Sequence, residues 1–337
     1  MQSHTLAGIS LVILAGVSSG TVLLPMKYVR DWKFQNIWLP YCFLAYFLFP
    51  WVMGLATVPH IWSIYAAAGF PTLLWTAIFG FGWGISVVLY GLGYTIVGLS
   101  LTSAIILGSS VAIGSLVPLL VLDRHRLFSA SGLPIVGADL LMLAGVLLCA
   151  RAGGMREKAQ ASAVNGVRNP HFRRGIIMCF AAGILSTLFN IALVSGRPIT
   201  QHALAHGIDP LRASNAVWSL AISAGSLPNL LWAVMKLKRT HAWGVYRVGA
   251  SKRNFILCVV MAVLWIGGTV LYGGATNLLG RLGAVVGWPI YMSGMILTNN
   301  FWGWITDEWK GVRGSPVTVM FAGIFIQLAS MVLLSQV

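Results

Sequence analysis

The chain has 337 residues, of which 58% are hydrophobic and only 9% are charged, and its formal net charge is +15. This composition supplies too little polar surface for a soluble globular protein of this size, so a soluble fold is excluded. The positive charge does not indicate nucleic-acid binding either, because the basic residues lie in short segments between long apolar stretches. Membrane topology and anionic lipid headgroups account for such segments.

Ten apolar stretches predict ten membrane-spanning helices, since a bilayer core requires about 20 apolar residues per helix. In chain order they lie at 6–26, 37–58, 71–96, 100–122, 132–150, 175–196, 213–235, 254–277, 282–305 and 317–336. The predicted fold class is therefore an all-α integral membrane protein with ten transmembrane helices. Such a chain contacts membrane lipid along most of its length.

The distribution of lysine and arginine predicts the orientation. Most of the 22 basic residues lie in the segments after spans 1, 5, 7 and 9. The opposite side has only five, which are Arg124, Arg126, Arg197, Arg212 and Arg281. Because basic segments stay in the cytoplasm, both termini are expected outside it.

The two halves of the chain are predicted to be inverted repeats. Gly8-Ile9, Ala15-Gly16 and Ser19 of span 1 recur in span 6 as Gly175-Ile176, Ala182-Gly183 and Ser186. The expected division is a first five-helix repeat over 1–150, a flexible cytoplasmic linker over 151–174 and a second repeat over 175–337. An odd number of spans in each half inverts the second half, a design that transporters use around a midplane site.

Several short motifs follow one another along the spans. They are Trp83-Gly84-Ile85, Tyr90-Gly91-Leu92, Gly98-Leu99-Ser100, Gly207-Ile208-Asp209-Pro210-Leu211, Glu308-Trp309 and Pro316-Val317-Thr318-Val319. This ordered series resembles the bacterial L-rhamnose–proton symporter family of the drug/metabolite transporter superfamily. The resemblance implies proton-coupled transport of a small neutral sugar across the inner membrane by two inverted five-helix repeats. It also implies that the fifth helix of each repeat is peripheral.

Aromatic and amide side chains within the spans are the candidate substrate-binding residues. A neutral sugar has apolar C–H faces and a rim of hydroxyl groups, so it suits aromatic rings flanked by neutral donors and acceptors. The pairs Trp83/Tyr90 and Trp265/Tyr272 have the same seven-residue spacing on spans 3 and 8, which places each pair on one helix face. The full candidate set is Trp83, Tyr90, Asn190, Trp218, Asn229, Trp265, Tyr272, Trp288, Tyr291 and Asn299.

The sequence departs from the family pattern at two places. Residues 86–89 are Ser-Val-Val-Leu where the family carries asparagines, and Gly268 stands where an amide side chain is expected. Amides distinguish one pattern of sugar hydroxyls from another. The fold therefore follows from the resemblance, and the identity of the sugar stays open.

Asp139 is the candidate proton-coupling residue, because it is the only one of the seven acidic residues that lies well within a predicted span. Desolvation at such a depth makes proton binding depend on hydration. Asp123 or Glu308 at a hydrated edge, or no residue at all, are the alternatives. Lys27, at the cytoplasmic end of span 1, is a candidate for gating or binding.

Other functions are less well supported by the residues. The sequence suggests no catalytic residues, no metal site and no cofactor, because no histidine lies in a span and Asp139 has no partner carboxylate in the sequence pattern. An ATP-binding loop is not evident. Export of a metabolite or amino acid, uncoupled sugar facilitation and homodimerisation remain open.

Overall fold

The computed structural model describes residues 2–97, 99–123, 129, 132–161, 172–247, 249–306, 309–312 and 314–335. This part of the chain forms helices and turns and contains no strand. The α-helices are α1 (Gln2–Thr21), α2 (Phe34–Cys42), α3 (Phe49–Thr57), α4 (Ile61–Ala68), α5 (Phe70–Val97), α6 (Leu99–Asp123), α7 (Leu133–Ala161), α8 (Phe172–Ser186), α9 (Leu188–Ser195), α10 (Arg197–Ala205), α11 (Pro210–Ala213), α12 (Asn215–Arg239), α13 (Ser251–Leu278), α14 (Gly283–Ile305) and α15 (Ser315–Ser335).

Eight helical segments of the described residues are long and apolar enough to cross a bilayer. They are Thr5–Tyr28, Phe34–Thr57, Phe70–Gly93, Leu133–Arg156, Arg173–Ala205, Pro210–Arg239, Ser251–Leu278 and Ser315–Leu333. The predicted fourth and ninth spans coincide with α6 and α14, which have 25 and 23 residues. The protein is thus an all-α, multi-pass membrane protein.

Two of the apolar segments contain a break in the helix. Between α2 and α3 the residues Phe43–Leu48 form a π-helical turn, just before Pro50, whose nitrogen cannot donate a hydrogen bond. The carbonyl oxygen of Pro50 accepts a hydrogen bond from Ser219 Oγ at 2.7 Å. The second break separates α8 from α9 at Thr187, whose hydroxyl donates to the carbonyl of Ile184 at 2.7 Å. Both breaks lie next to residues of the candidate site.

The helix α7 is longer than the sequence analysis predicts. It continues to Ala161, so the first part of the segment expected to be a flexible linker is helical. Residues 155–161 read Met-Arg-Glu-Lys-Ala-Gln-Ala, all good helix formers, and no proline or glycine ends the helix earlier. Residues 162–171 of the predicted linker lie outside the described residues.

Glycines allow the helices to approach closely. On α5, a Cβ added at Gly80 or Gly84 would overlap the carbonyl oxygens of Ala221 or Gly225 on α12. The helix α1 packs on α13 and α14, α8 packs on α5 and α6, and α7 packs on α15. In lipid no hydrophobic force drives helices together. Small residues at these crossings allow the close van der Waals packing that stabilises the helix contacts instead.

Large apolar side chains are exposed on the outer surface of the bundle, as Phe70 and Phe325 illustrate, each 72% exposed. A lipid environment accommodates such side chains without penalty, because lipid tails are as apolar as they are.

Candidate functional site

Eight rings from different parts of the chain contact one another in the bundle, and we call them the aromatic cluster; the ring contacts continue beyond it from Tyr46 to Tyr41 and Trp38. Its members are Tyr46, Trp83, Phe189, Trp218, Trp265, Tyr272, Trp288 and Tyr291. The rings of Trp83 and Trp265 are stacked, with centroids 5.7 Å apart and planes inclined by 10°. Tyr272 and Tyr291 are also stacked, at 4.7 Å. Phe189 connects these two pairs through Trp83 and Trp288.

Six of the ten predicted substrate-binding residues belong to this cluster, namely Trp83, Trp218, Trp265, Tyr272, Trp288 and Tyr291. The sequence analysis missed Tyr46 and Phe189. Both lie beside the helix breaks described above, and a proline four residues after Tyr46 is the signal that indicates its position. Phe189 carries no polar atom, so no sequence signal distinguishes it from a lipid-facing phenylalanine.

Tyr90 does not join the aromatic cluster. It packs instead near Ile106, Cys179 and Ala182. The seven-residue spacing therefore brings Trp265 and Tyr272 into one cluster on α13 but separates Trp83 from Tyr90 on α5.

The two central amides are hydrogen-bonded within the protein. Asn190 is completely buried, and its Nδ2 donates to the carbonyl oxygens of Gly114 at 2.8 Å and Ala284 at 3.0 Å. Its Oδ1 accepts from the hydroxyl of Tyr272 at 2.6 Å. Asn190 thus links α9 to α6, α13 and α14. Both of its N–H donors are used, so a ligand acceptor has to displace one of the two carbonyl oxygens to bind the amide nitrogen.

Asn229 is likewise buried, and its Nδ2 donates to the carbonyl oxygens of Gly84 and Gly225, both at 3.0 Å. The indole nitrogen of Trp38 donates to Asn229 Oδ1 at 3.2 Å. This amide sits at the crossing of α5 and α12.

Two indole N–H groups of the aromatic cluster have no acceptor in the part of the chain that the structure describes. The Nε1 atoms of Trp218 and Trp265 are both buried without a hydrogen-bond partner among the described residues. An unmet donor in an apolar setting costs about 1–3 kcal/mol. These N–H groups can donate hydrogen bonds to hydroxyl oxygens of a ligand.

An open cleft of about 170 Å³ lies at one side of the membrane-crossing bundle. We call it the Lys27-side cleft. Its walls include Leu23, Lys27, Tyr90, Leu107, Ala150, Arg156, Asn299 and Asn300. Lys27 Nζ donates to Thr306 Oγ1 at 2.6 Å, which connects the 3-10 turn Pro25–Tyr28 after α1 to the end of α14. Asn300 donates to the carbonyl of Ile296 in its own helix, at 2.9 Å.

A smaller pocket of about 60 Å³ lies at the opposite ends of α13 and α14. We call it the Arg281-side pocket. It is lined by Val194, Arg197, Thr200, Thr276, Asn277, Arg281 and Ala284, among others. On α14 the cleft begins at Ile296 and the pocket ends at Ala284, and the cluster residues Trp288 and Tyr291 lie between them. The aromatic cluster therefore separates the two spaces.

Asp139 is buried, with 2% of its surface exposed, and lies on α7 rather than on a helix that contributes to the aromatic cluster. The neighbouring carbonyl of Ala138 accepts from Ser330 Oγ of α15 at 2.5 Å. One turn later, Met142 Sδ accepts from Ser293 Oγ of α14 at 2.5 Å. Of the alternative proton sites, Glu308 and the side chain of Asp123 lie outside the described residues.

The positions where the sequence departs from the family pattern serve helix packing. Ser86 Oγ donates to the carbonyl of Ala182 at 2.8 Å. A Cβ at Gly268 would overlap Ser19 Oγ and lie 2.9 Å from the carbonyl oxygen of Ala15. An amide therefore does not fit at position 268, because α1 and α13 are already in contact there. In the described part of the chain, no group of three His, Cys, Asp or Glu residues is arranged to hold a metal.

The chain matches the family model of the L-rhamnose-proton symport protein (RhaT) over residues 1–335. Similar known proteins are L-rhamnose-proton symporters. That of Escherichia coli O1:K1 is 23% identical over 336 residues, covering 97% of this chain and 96% of the relative. Those of Shigella dysenteriae serotype 1 and Citrobacter koseri are each 24% identical with the same coverage.

The family model extends over both halves of the chain and includes the helices that contribute to the aromatic cluster. The resemblance drawn from the short motifs is thereby confirmed. By this match over nearly its full length, the chain belongs to the L-rhamnose-proton symport protein family.

Proposed function

We propose that this protein takes up a small neutral sugar, L-rhamnose or a close relative, together with a proton across the bacterial inner membrane. The family is one of transporters, which supports a non-enzymatic function. The observation that carries the proposal is the buried aromatic cluster between the Lys27-side cleft and the Arg281-side pocket. A neutral sugar needs apolar ring faces and neutral hydrogen-bonding groups, and the cluster offers both.

The sugar is proposed to bind within the cluster, between the rings that stack on one another in the empty protein. The N–H groups of Trp218 and Trp265 then donate to sugar hydroxyls in place of the acceptors that they lack. Insertion of the sugar replaces the Trp83–Trp265 ring contact with two ring–sugar contacts. Asn299, on the wall of the Lys27-side cleft, contacts the sugar as it leaves the cluster towards the cytoplasm.

The ten predicted spans are proposed to form two inverted repeats, and equivalent contacts support this. The helix α1 packs on α13 and α14, as α8 packs on α5 and α6. Gly268 approaches Ala15, as Ser86 approaches Ala182. Gly16 of α1 packs on Gly294 of α14, as Gly183 of α8 packs on Ser109 of α6. In both pairs the α1 and α8 residues differ by the constant offset of 167.

Inverted repeats of this kind exchange access when each half adopts the conformation of the other. The larger of the two spaces lies at the Lys27 side, which the distribution of basic residues predicts to be cytoplasmic. Lys27 lines this cleft and donates to Thr306 at the end of α14, so we assign it a gating role.

Asp139 is proposed to carry the coupled proton. It is a buried carboxyl group in a membrane-spanning helix, and such groups are rare and tend to serve proton transfer. Its helix packs against α14 through Met142 and Ser293, so its protonation can influence a helix of the sugar site.

The proposal is tested by uptake of radiolabelled L-rhamnose into proteoliposomes with and without an imposed proton gradient. We expect accumulation that requires the gradient and is abolished by a protonophore. Competition by a panel of unlabelled neutral sugars identifies the preferred substrate. Equal uptake with and without the gradient would favour an uncoupled facilitator, and uptake of none of the sugars would contradict the proposed function.

A further inference from the structure

A hydrogen-bond network centred on one amide lies between the Arg281-side pocket and the aromatic cluster. Asn190 bonds to Gly114 of α6, Tyr272 of α13 and Ala284 of α14 by three hydrogen bonds of 2.6–3.0 Å. Ala284 itself lines the pocket, and Thr276 of its lining lies one turn beyond Tyr272. One side chain therefore holds four helices together directly beneath the pocket.

The equivalent position at the other side of the protein is a leucine. The offset of 167 that relates Ser19 to Ser186 relates Leu23 to Asn190. The spacing that pairs Trp83 with Trp265 also pairs Tyr90 with Tyr272. Leu23 and Tyr90 both line the open Lys27-side cleft, whereas Asn190 and Tyr272 are joined by a hydrogen bond at the closed end.

The two ends thus differ in chemistry as well as in opening. A leucine side chain has no donor or acceptor, so Leu23 cannot form the three bonds that Asn190 forms. In a membrane interior, where water does not compete, such bonds are retained until the helices separate.

We propose that Asn190 is a latch that keeps the Arg281-side gate shut, and that the Lys27-side gate lacks a matching latch. The empty protein therefore rests with its cleft open at the Lys27 side. This inference rests on the alternating access proposed above. Opening the Arg281 side would separate Asn190 from Tyr272. Their equivalents, Leu23 and Tyr90, line the Lys27-side cleft in the present structure.

The test measures access to both sides in the absence of sugar. Val194→Cys reports on the Arg281-side pocket and Ala150→Cys reports on the Lys27-side cleft, since each residue lines its space and is partly exposed. The four native cysteines are buried, but Cys149 lines the Lys27-side cleft beside Ala150, so both reporters are introduced into a Cys149→Ala background. Labelling by a membrane-impermeant maleimide is timed in intact cells and in inverted vesicles, so that either orientation of the protein is detected.

Asn190→Leu gives position 190 the same side chain as its equivalent, Leu23. This change is expected to raise labelling of Val194→Cys at least tenfold and to lower labelling of Ala150→Cys. Tyr272→Phe removes one of the three bonds and should produce a smaller shift in the same direction. The matched control is Asn229→Leu, which also removes a buried amide with three hydrogen bonds but lies at the crossing of α5 and α12. It should leave both labelling rates unchanged.

Unchanged labelling in a folded Asn190→Leu protein would overturn the latch, as would an equal change in the Asn229→Leu control. Should Asn190→Leu not fold, Tyr272→Phe decides, and an unchanged rate in that variant rejects the proposal. The labelling does not depend on the transported solute. A latch that behaves as expected in a protein that carries no sugar would therefore leave this inference standing and reject only the proposed function.

Discussion

The aromatic cluster and the surroundings of Asp139 are both buried, but they have opposite chemistry. The cluster presents rings and unmet indole donors and contains no ionisable group other than tyrosine hydroxyls. Around Asp139, the helices α7 and α15 meet through small and polar side chains such as Ser330 and Gln327. The first region suits a neutral sugar and the second a proton, so the two substrates are proposed to bind on different helices.

The helix α14 connects the two regions. Tyr291 belongs to the aromatic cluster and donates to Ser19 of α1, while Ser293, two residues later, donates to Met142 on α7. Because Met142 lies one turn after Asp139, a shift of α7 acts directly on α14. We therefore expect the proton and the sugar to be coupled through movement of α14 rather than through direct contact.

The largest effect is expected from Asp139→Asn. The amide has the shape of the carboxyl group but cannot release a proton, so gradient-driven accumulation should be lost. At one proton per sugar, a pH gradient of one unit supports about tenfold accumulation, and this factor should disappear in the proteoliposome assay. Exchange of labelled for unlabelled sugar at equal pH should persist. Ser330→Ala, which removes a bond at the same helix pair without touching the carboxyl group, should keep accumulation.

A second test concerns the unmet donor of Trp265. Trp265→Phe keeps an aromatic ring and removes the indole N–H, so sugar affinity should fall by about two- to tenfold, the value of one hydrogen bond. The empty protein should lose less stability than the control, because the indole N–H of Trp265 has no hydrogen-bond partner among the described residues and only ring contacts are lost. Equilibrium binding and thermal unfolding measure the two quantities. Trp38→Phe is the control, because its N–H already bonds to Asn229 and its loss should lower stability and spare affinity.

Coupling through α14 is tested by Ser293→Ala. Loss of the bond to Met142 should reduce gradient-driven accumulation by about two- to threefold while sugar affinity stays unchanged. Tyr246→Phe, which removes a hydroxyl bonded to the carbonyl of Asn36 and whose ring contacts lie outside the aromatic cluster, should alter neither. A reduced affinity in Ser293→Ala would mean that the serine supports the sugar site itself.

The smallest effect is expected at Tyr90. This tyrosine lies outside the aromatic cluster, so Tyr90→Phe should change sugar affinity by less than about twofold. The equivalent change Tyr272→Phe lies within the cluster and should affect transport more. A fivefold or larger loss of affinity in Tyr90→Phe would extend the sugar site into the Lys27-side cleft.

Much of the fold follows from the sequence alone. The ten apolar stretches coincide with helices to within a few residues, apart from the extension of α7 to Ala161. Hydrophobic length is a local property, which is why it can be counted from the sequence. The series of short motifs also identified the family, because motifs can be recognised without knowing which helices meet.

The tertiary structure decided how the candidate residues are used. The sequence treats Asn190 and Asn299 alike as amides in spans, yet one is bonded to three helices and the other lines an open cleft. Identical spacing put Tyr272 inside the aromatic cluster and Tyr90 outside it. Composition and period fix which residues enter the membrane, but hydrogen bonds and ring contacts depend on which helices meet. Which helices meet is determined by close packing at glycines such as Gly84, whose neighbour Gly225 lies far away in the chain.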